Sequence, residues 1–304
     1  MRETTLLLVR YGELALKARE TRLRFERILR KNISKALDRE GIKHSIESEW
    51  GRIYIETQDI TNSIPVLKKI FGVTSFSPSY KTEATIPSIS ELALQIAREN
   101  IDRDKSFALR VTRIGNHSFS SQDIAVEVGE IIRRDTKAKV DLETPDIELF
   151  IEIRNKQAYL FTEKILGPGG LPLGSQGKVL TYVDQPEALL AAWYIMKRGC
   201  SSIFIVTNEE LFPITERFTK EWYTQATILV REDTAPEDIQ LLVEDTRALA
   251  VVTAHSLTKN TEQVISELQD WKTKISVPIL TPLLTMMPKE IQEDAKRKEV
   301  NLWR

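Results

Sequence analysis

Cysteine occurs once in the chain, at Cys200, which excludes a disulfide framework and any paired-cysteine motif for metal or dithiol chemistry. Histidine is nearly as scarce, and the stretches "GNHSF" and "TAHSL" show no metal-ligand spacing, so no zinc site is expected. No apolar run approaches the roughly 18 residues needed to span a bilayer. The N-terminal stretch "TLLLVRYGELALK" turns to charge too early for a secretory signal. Together these absences predict a cytoplasmic protein with no membrane partner and no bound metal. What is present is ordinary for a globular chain: 41% hydrophobic and 29% charged residues leave no composition for long disorder. At 304 residues the chain can hold two or three domains, each with its own core.

A formal net charge of −1 gives no hint of a polyanionic partner, but the charge is uneven. Residues 1–56 carry 13 Lys and Arg against 9 Asp and Glu, whereas residues 176–304 carry 15 against 19. The basic end is N-terminal, and within it Leu14 to Lys31 holds seven basic residues and two acidic ones.

The first segment opens with the strand "TTLLLVRYG", followed by a helical pattern from Arg19 to Glu40. Phe25, Ile28, Leu29, Ile33, Ala36 and Leu37 recur on one face of that helix, and Arg24, Arg27, Lys31 and Lys35 fall on the other. The alternating strand "GRIYIE" and a helix over "SIPVLKKIFG" that stops at Gly72 complete a small α+β sandwich. A second segment begins near Ser77. It has a strand at Ser79 to Thr85, a helix at Ser88 to Asn100 capped by Ser88 or Ser90, the strand "SFALRVTR", a helix at Ser121 to Lys137, and strands "IELFIEIR" and "QAYLFTEK". The connector "GPGGLPLGSQG" is rich in Gly and Pro and reads as a domain linker. The third segment alternates apolar strands with amphipathic helices, which predicts an open parallel sheet covered on both faces. Such sheets bind ligands at the carboxyl ends of their strands, so the turn after Val183 is the first place to look.

The motifs "VRYGELALK", "GRIYIE", "KIFGVTSFSP", "VDLETPDIELFIEI", "AYLFTEKILGPGGLPLGSQGKVL", "IMKRG" and "PILTPL" occur in order, and together they resemble the tRNA 4-thiouridine synthetase (tRNA sulfurtransferase) family. The resemblance covers the chain to about Val300. It implies a ferredoxin-like domain over residues 1–76, a THUMP RNA-binding domain over 77–166, a linker over 167–177, and a PP-loop-type, doubly wound parallel-sheet domain over 178–304. It also implies an activity in which ATP, with magnesium, adenylates a uridine of tRNA and a persulfide cysteine then delivers sulfur. The ferredoxin-like and THUMP domains of the family hold the acceptor stem and 3′ end.

The chain departs from the family at the nucleotide loop. Where the family has Ser-Gly-Gly-x-Asp-Ser, this sequence has Asp184, Gln185, Pro186, Glu187, Ala188 and Leu189. The family's glycines let backbone N–H groups approach phosphate and its serines add donors at a helix N-terminus. Here Pro186 has no N–H, side chains replace both glycines, and Asp184 and Glu187 bring negative charge. The replacement reads as an ordinary helix start, with Asp184 or Gln185 as cap and Pro186 in the first position. Ala254 and His255 stand where the family has Gly and Glu, and Thr258 where it has Gly. The family's persulfide cysteine corresponds to a position beyond Arg304, and Cys200 reads as a small buried hydrophobe. His255 reads as a packing residue, with no carboxylate or nucleophile at a useful spacing.

The resemblance therefore directs attention to RNA contact. Lys17, Arg19, Arg22, Arg24, Arg27 and Lys31 form a basic ridge able to track a phosphate backbone. Arg110 and Arg113 lead into "IGNHSFSSQD", which offers His117, Ser118, Ser120 and Ser121 to a single-stranded 3′ end; Ser121 reads equally as a helix N-cap. Lys81 reads as an exposed strand lysine. Two readings follow: a tRNA-binding relative that has lost ATP chemistry and carries no cofactor, or an ATP- and magnesium-dependent thiolation enzyme with a replacement loop or a catalytic partner protein. The resemblance further implies a homodimer.

Overall fold

The structure is a computed structural model that describes residues 5–12, 18–49, 51–232, 234–257 and 261–302. Lys17 and Thr258, both singled out above, lie outside the described residues. The chain divides into two compact units, one of residues 1–10, 41–64 and 75–165 and the other of residues 11–40, 65–74 and 166–304.

The first unit is organised on one mixed sheet. Its strands are β1 (Leu6–Arg10), β2 (Ser45–Glu49), β3 (Arg52–Glu56), β4 (Ser75–Glu83), β5 (Ser106–Ile114), β6 (Lys139–Val140), β7 (Ile147–Arg154) and β8 (Gln157–Phe161), hydrogen-bonded in the order β2-β3-β1-β4-β8-β7-β5-β6. β4 starts four residues earlier than the alternation predicts. It pairs antiparallel with β1 from Ser75 opposite Arg10, then antiparallel with β8 up to Glu83 opposite Gln157. The strands of the first and second sequence segments thereby share one ladder.

Strand alternation gives the two faces of this sheet different covers. One packs against α3 (Ile86–Asn100) and α4 (Ser121–Thr136) through Ile89, Ala93, Ile124, Val128 and Ile132, set against Leu149, Ile151, Ile153 and Leu160. Each such fully buried aliphatic side chain contributes about 1.5–3 kcal/mol. The other face carries a smaller cluster of strand residues alone: Leu6, Leu8, Tyr54, Tyr159 and Phe161, with Phe150 packed against it. At the tip of β7 and β8, Asn155 and Lys156 form a two-residue turn, with Asn155 at a φ of 52°.

Two helix starts differ from expectation. α3 is capped by Thr85, whose hydroxyl accepts the Ser88 amide at 3.3 Å, rather than by Ser88 or Ser90. Pro87 in the first turn allows the earlier start, since its missing N–H is one the helix leaves unbonded anyway. α2 (Ile60–Leu67) begins before Ser63 because Asp59 accepts the Asn62 amide, and it ends well short of Gly72.

The two-residue strand β9 (Ile165–Leu166) pairs with β4 and leads into the connector. The second unit holds α1 (Arg19–Arg39) and a five-stranded parallel sheet of β10 (Lys178–Val183), β11 (Ser201–Val206), β12 (Ile228–Val230), β13 (Val251–Val252) and β14 (Ile279–Leu280). The strand order is β12-β11-β10-β13-β14, so the winding reverses between β10 and β13. The helices α5 (Ala188–Lys197), α6 (Phe212–Glu221) and α9 (Pro288–Arg297) pack against Val179, Val183, Phe204 and Val206. The helices α7 (Pro236–Thr246) and α8 (Thr261–Lys274) cover Leu180, Ile205 and Val251 on the other face. The connector expected to be a linker is instead packed, with Leu171 N–H bonded to the Lys197 carbonyl at 3.0 Å and Gln176 N–H to that of Gly199 at 3.1 Å. Gly170 permits this approach, because a Cβ there would stand 2.1 Å from the Lys197 oxygen. A Gly- and Pro-rich composition here marks close backbone contact rather than looseness.

Candidate functional site

α1 forms as an amphipathic helix because Phe25, Leu29, Ile33, Ala36 and Leu37 recur on one buried stripe. Its opposite face presents Arg19, Arg24, Arg27 and Lys31, all exposed. Arg27 and Lys31 make no ion pair with any described residue, while Arg22 is half-buried and already engaged by the protein. The cations of the last turns are occupied: Lys35 Nζ donates to Gln225 Oε1 at 2.7 Å, and Arg39 donates to the Lys220 carbonyl at 3.0 Å. The unpaired cations therefore lie ahead of the last two turns of α1. Arg19 alone of these lies in the first turn, where the helix dipole disfavours a cation by about 0.3–1 kcal/mol. A phosphate backbone laid along the ridge would relieve this repulsion.

The second candidate group surrounds the loop from β5 to α4. Arg110 and Arg113 are three residues apart on a strand, so they point to opposite faces. Arg110 lies opposite Phe150 on the face without helices, with Nε bonded to Glu148 Oε1 at 2.6 Å and a second nitrogen to the Leu142 carbonyl at 2.9 Å. Arg113 lies opposite Ile153 on the helix-covered side and donates to the Gly115 carbonyl at 3.2 Å. Its guanidinium also meets His117 Nδ1 at 3.3 Å, and His117 Nε2 meets the Asn155 carbonyl at 2.5 Å. A carbonyl only accepts and a guanidinium only donates, so these two contacts suit the tautomer with Nε2 as donor and Nδ1 as acceptor. The ring is tilted against Phe119 at a centroid distance of 5.1 Å. Gly115, at a φ of 111°, makes the turn possible, since a Cβ would stand 2.9 Å from Asn155 Oδ1.

The cap of α4 is Ser120, not Ser121. The Ser120 hydroxyl accepts the Asp123 amide at 3.1 Å, and the Asp123 carboxylate accepts the Ser120 amide at 2.7 Å. That backbone bond holds the Asp123 carboxyl below its ordinary range. Ser121 is the first helical residue and takes no part in the cap. Sequence spacing alone missed this because Ser120 and Ser121 are adjacent and both have an acidic residue in reach.

At the carboxyl end of β10 the chain makes a tight turn. Ala188 N–H donates to the Gln185 carbonyl at 3.1 Å, Leu189 to Pro186 at 3.0 Å and Leu190 to Glu187 at 3.0 Å. The helix then begins at Ala188 with no side-chain cap, so the expectation that Asp184 or Gln185 caps it is not met. Backbone carbonyls already satisfy the amides a side chain would have capped. The same bonds withdraw those amides from any phosphate. Asp184 and Glu187 add negative charge, and His255 and Glu267 act on Asp184 across the crevice. Packed protein raises the Asp184 carboxyl, with Glu267 and Glu187 adding to the rise and His255 opposing it; the residue is exposed by surface area, which limits the effect.

His255 follows β13 at the winding reversal and does have a carboxylate near it, against expectation: Nε2 lies 3.5 Å from Glu267 Oε2 on α8. Strand-to-helix folding brings together residues twelve apart, which spacing rules do not reach. Nδ1 meets the Thr253 hydroxyl at 2.7 Å, and the ring packs edge-on to Trp271 at 5.8 Å. The imidazole thus meets both a hydroxyl and a carboxylate, but Thr253 is 1% exposed and cannot meet a substrate. Cys200 is half-buried against the core, and burial pushes its thiol up, away from a reactive thiolate. No group of three or more metal-binding side chains occurs among the described residues, and no described helix is long and apolar enough to cross a membrane.

Residues 6–77 match the ThiI ferredoxin-like domain, and residues 83–163 match the THUMP domain. A probable tRNA sulfurtransferase of Methanobrevibacter smithii is 31% identical, over 95% of this chain and 85% of that protein. The tRNA sulfurtransferase of Pyrobaculum aerophilum is 33% identical, over 96% of this chain and 66% of that protein. A crystal structure of a protein from Pyrococcus horikoshii Ot3 has a TM-score of 0.84 at 30% identity, covering 96% of this chain and 98% of that one. A 4-thiouridine synthetase, solved as an RNA complex with bound ATP, shares the fold at a TM-score of 0.79 and 22% identity, covering 98% of this chain and 86% of that one. With the ferredoxin-like and THUMP parts in order ahead of a parallel sheet, and a sulfurtransferase match over nearly its whole length, the chain belongs to the tRNA sulfurtransferase, or 4-thiouridine synthetase, family.

Proposed function

We propose that the protein is a cytoplasmic tRNA-binding member of this family that does not adenylate uridine itself and needs neither ATP nor magnesium. The observation that carries this reading is the turn after β10. Pro186 offers no N–H, the amides of Ala188, Leu189 and Leu190 are bonded to nearby carbonyls, and two carboxylates flank the position phosphate would take. Each change alone weakens phosphate binding, and together they remove both donors and favourable charge.

RNA recognition is the function that remains. The exposed ridge of Arg19, Arg24, Arg27 and Lys31 suits the acceptor-stem backbone, and the ordered β5–α4 loop with His117 and Phe119 suits the unpaired 3′ end. Any uridine chemistry on the bound tRNA then falls to a catalytic partner protein. The protein acts as a homodimer on the family pattern.

Two measurements test this. Purified protein binds tRNA or an acceptor-stem minihelix with an affinity that falls as salt rises; absence of binding overturns the RNA reading. Calorimetry with ATP and Mg²⁺ gives no binding heat; a micromolar constant overturns the loss of nucleotide chemistry.

A further inference from the structure

The sheet face without helices holds an unbalanced group of charges. Three guanidiniums converge on one carboxylate: Arg52 Nε is 2.7 Å from Glu152 Oε1, Arg154 is 3.3 Å from the same oxygen, and Arg10 is 3.5 Å from Oε2. Sheet pairing forces the convergence, because Arg10 faces Arg52 across β1 and β3 and Glu152 faces Tyr159 across β7 and β8. Arg154 is buried and has other partners, whereas the Arg10 and Arg52 side chains stay 13% and 24% exposed. One carboxylate shared among three cations leaves positive charge uncompensated. Burial holds the Arg10 guanidinium below its ordinary range; Glu152 opposes this, and the neighbouring Arg52 and Arg154 add to it.

A fourth cation joins them. Phe150 and Phe161 are stacked at 5.2 Å and 11°, with the Arg10 guanidinium 4.6 Å from the Phe161 centroid and the Lys164 ammonium 3.8 Å from that of Phe150. Lys164 is exposed and makes no ion pair with a described carboxylate. Desolvation, then repulsion from Arg10, lowers its pKa, which sets the two like charges within electrostatic reach of each other. Rings hold the cations in place, and among the described residues Glu148 and Glu152 act on Lys164 in the opposite sense to Arg10 without an ion pair to it. Farther along the same sheet the character reverses: Glu47, Glu49 and Glu56 surround Lys81 beside Tyr54 and Tyr159. The face is thus basic at one end and acidic at the other.

We propose that this face carries an anion subsite in which the Lys164 ammonium and the Arg10 and Arg52 guanidiniums hold a backbone phosphodiester of the bound RNA. The subsite rests on the tRNA-binding reading and adds a contact outside both the α1 ridge and the β5–α4 loop. A phosphate placed there relieves the Arg10–Lys164 repulsion and accepts hydrogen bonds that Glu152 alone leaves unused.

The test compares tRNA binding by the full-length wild type, Lys164→Glu, Arg52→Gln and Arg27→Glu/Lys31→Glu across a salt series. Lys164 is exposed and unpaired, so K164E is expected to keep the wild-type thermal midpoint while losing roughly tenfold in affinity, with the slope of log K against log salt shallower by about 0.7–0.9 per lost contact. R52Q is expected to show a smaller loss in the same direction. If wild type binds and the α1 double variant is weakened while K164E and R52Q match wild type in affinity and slope, the subsite is overturned and the tRNA reading stands. If wild type does not bind tRNA, both fall. If inorganic phosphate binds in a Lys164-dependent way while K164E leaves tRNA affinity unchanged, the site takes a free anion and the RNA assignment is overturned.

Discussion

The amide of Leu189 donates to the carbonyl of Pro186 at 3.0 Å, so the residue that lacks an N–H of its own also removes a neighbour's from use. Placing glycine at that one position leaves the turn's carbonyl bonds and the carboxylates in place. P186G is therefore expected to show no ATP binding by calorimetry, like wild type. Binding by the single variant at micromolar strength would mean that the turn is less committed than its bonds indicate.

Charge reversal on α1 is expected to separate exposed cations from occupied ones. Arg27→Glu with Lys31→Glu should weaken tRNA binding by roughly tenfold or more and flatten its salt dependence, since each lost phosphate contact removes about 0.9 from the slope. Lys35→Glu, whose native ammonium is bonded to Gln225, should change binding less. Filter binding at several salt concentrations distinguishes them.

The serines at the start of α4 should differ in stability although they are adjacent. Ser120→Ala removes a cap and is expected to cost about 1 kcal/mol. Ser121→Ala, outside the cap, should be close to neutral. Thermal or urea unfolding of both variants checks the assignment.

The same cap makes stability depend on pH. Folding depresses the Asp123 carboxyl, so its contribution is complete above the ordinary carboxylate range and is lost as pH falls through the lowered folded value. The melting temperature of Asp123→Asn should therefore lie below that of wild type at neutral pH, with the gap closing under acid. A gap that widened in acid would contradict the capping geometry.

Gly115→Ala should destabilise the protein by about 1–3 kcal/mol, because a residue with Cβ must adopt a φ of 111° and displace Asn155. Loss of His117 ordering should accompany it, seen as a shift of the imidazole NMR signals.

Much of this was legible in residues. Phe25, Leu29, Ile33, Ala36 and Leu37 announce α1 and its buried side, and the apolar runs of the last segment announce a parallel sheet, because both signals are local periodicities. The motif run from "VRYGELALK" to "PILTPL" carried the family. Caps were harder: Thr85 and Ser120 each have a competing serine nearby, and only backbone geometry decides. Contacts made by folding were invisible, among them Glu267 with His255 and the three arginines around Glu152. Arg110 and Arg113 could have been separated by alternation alone, but shared charge grouped them.

One ladder runs from β2 through β4 to β6 without a break. Its mechanical consequence is stiffness: the ferredoxin-like and THUMP strands cannot hinge about β4 without opening backbone bonds to β1 or β8. Amide exchange along β4 should accordingly be as slow as anywhere in the first unit. The distance between the basic end of this face and the His117 loop is then set by a fixed gauge rather than by a joint, and an RNA that touched both would have to conform to that gauge.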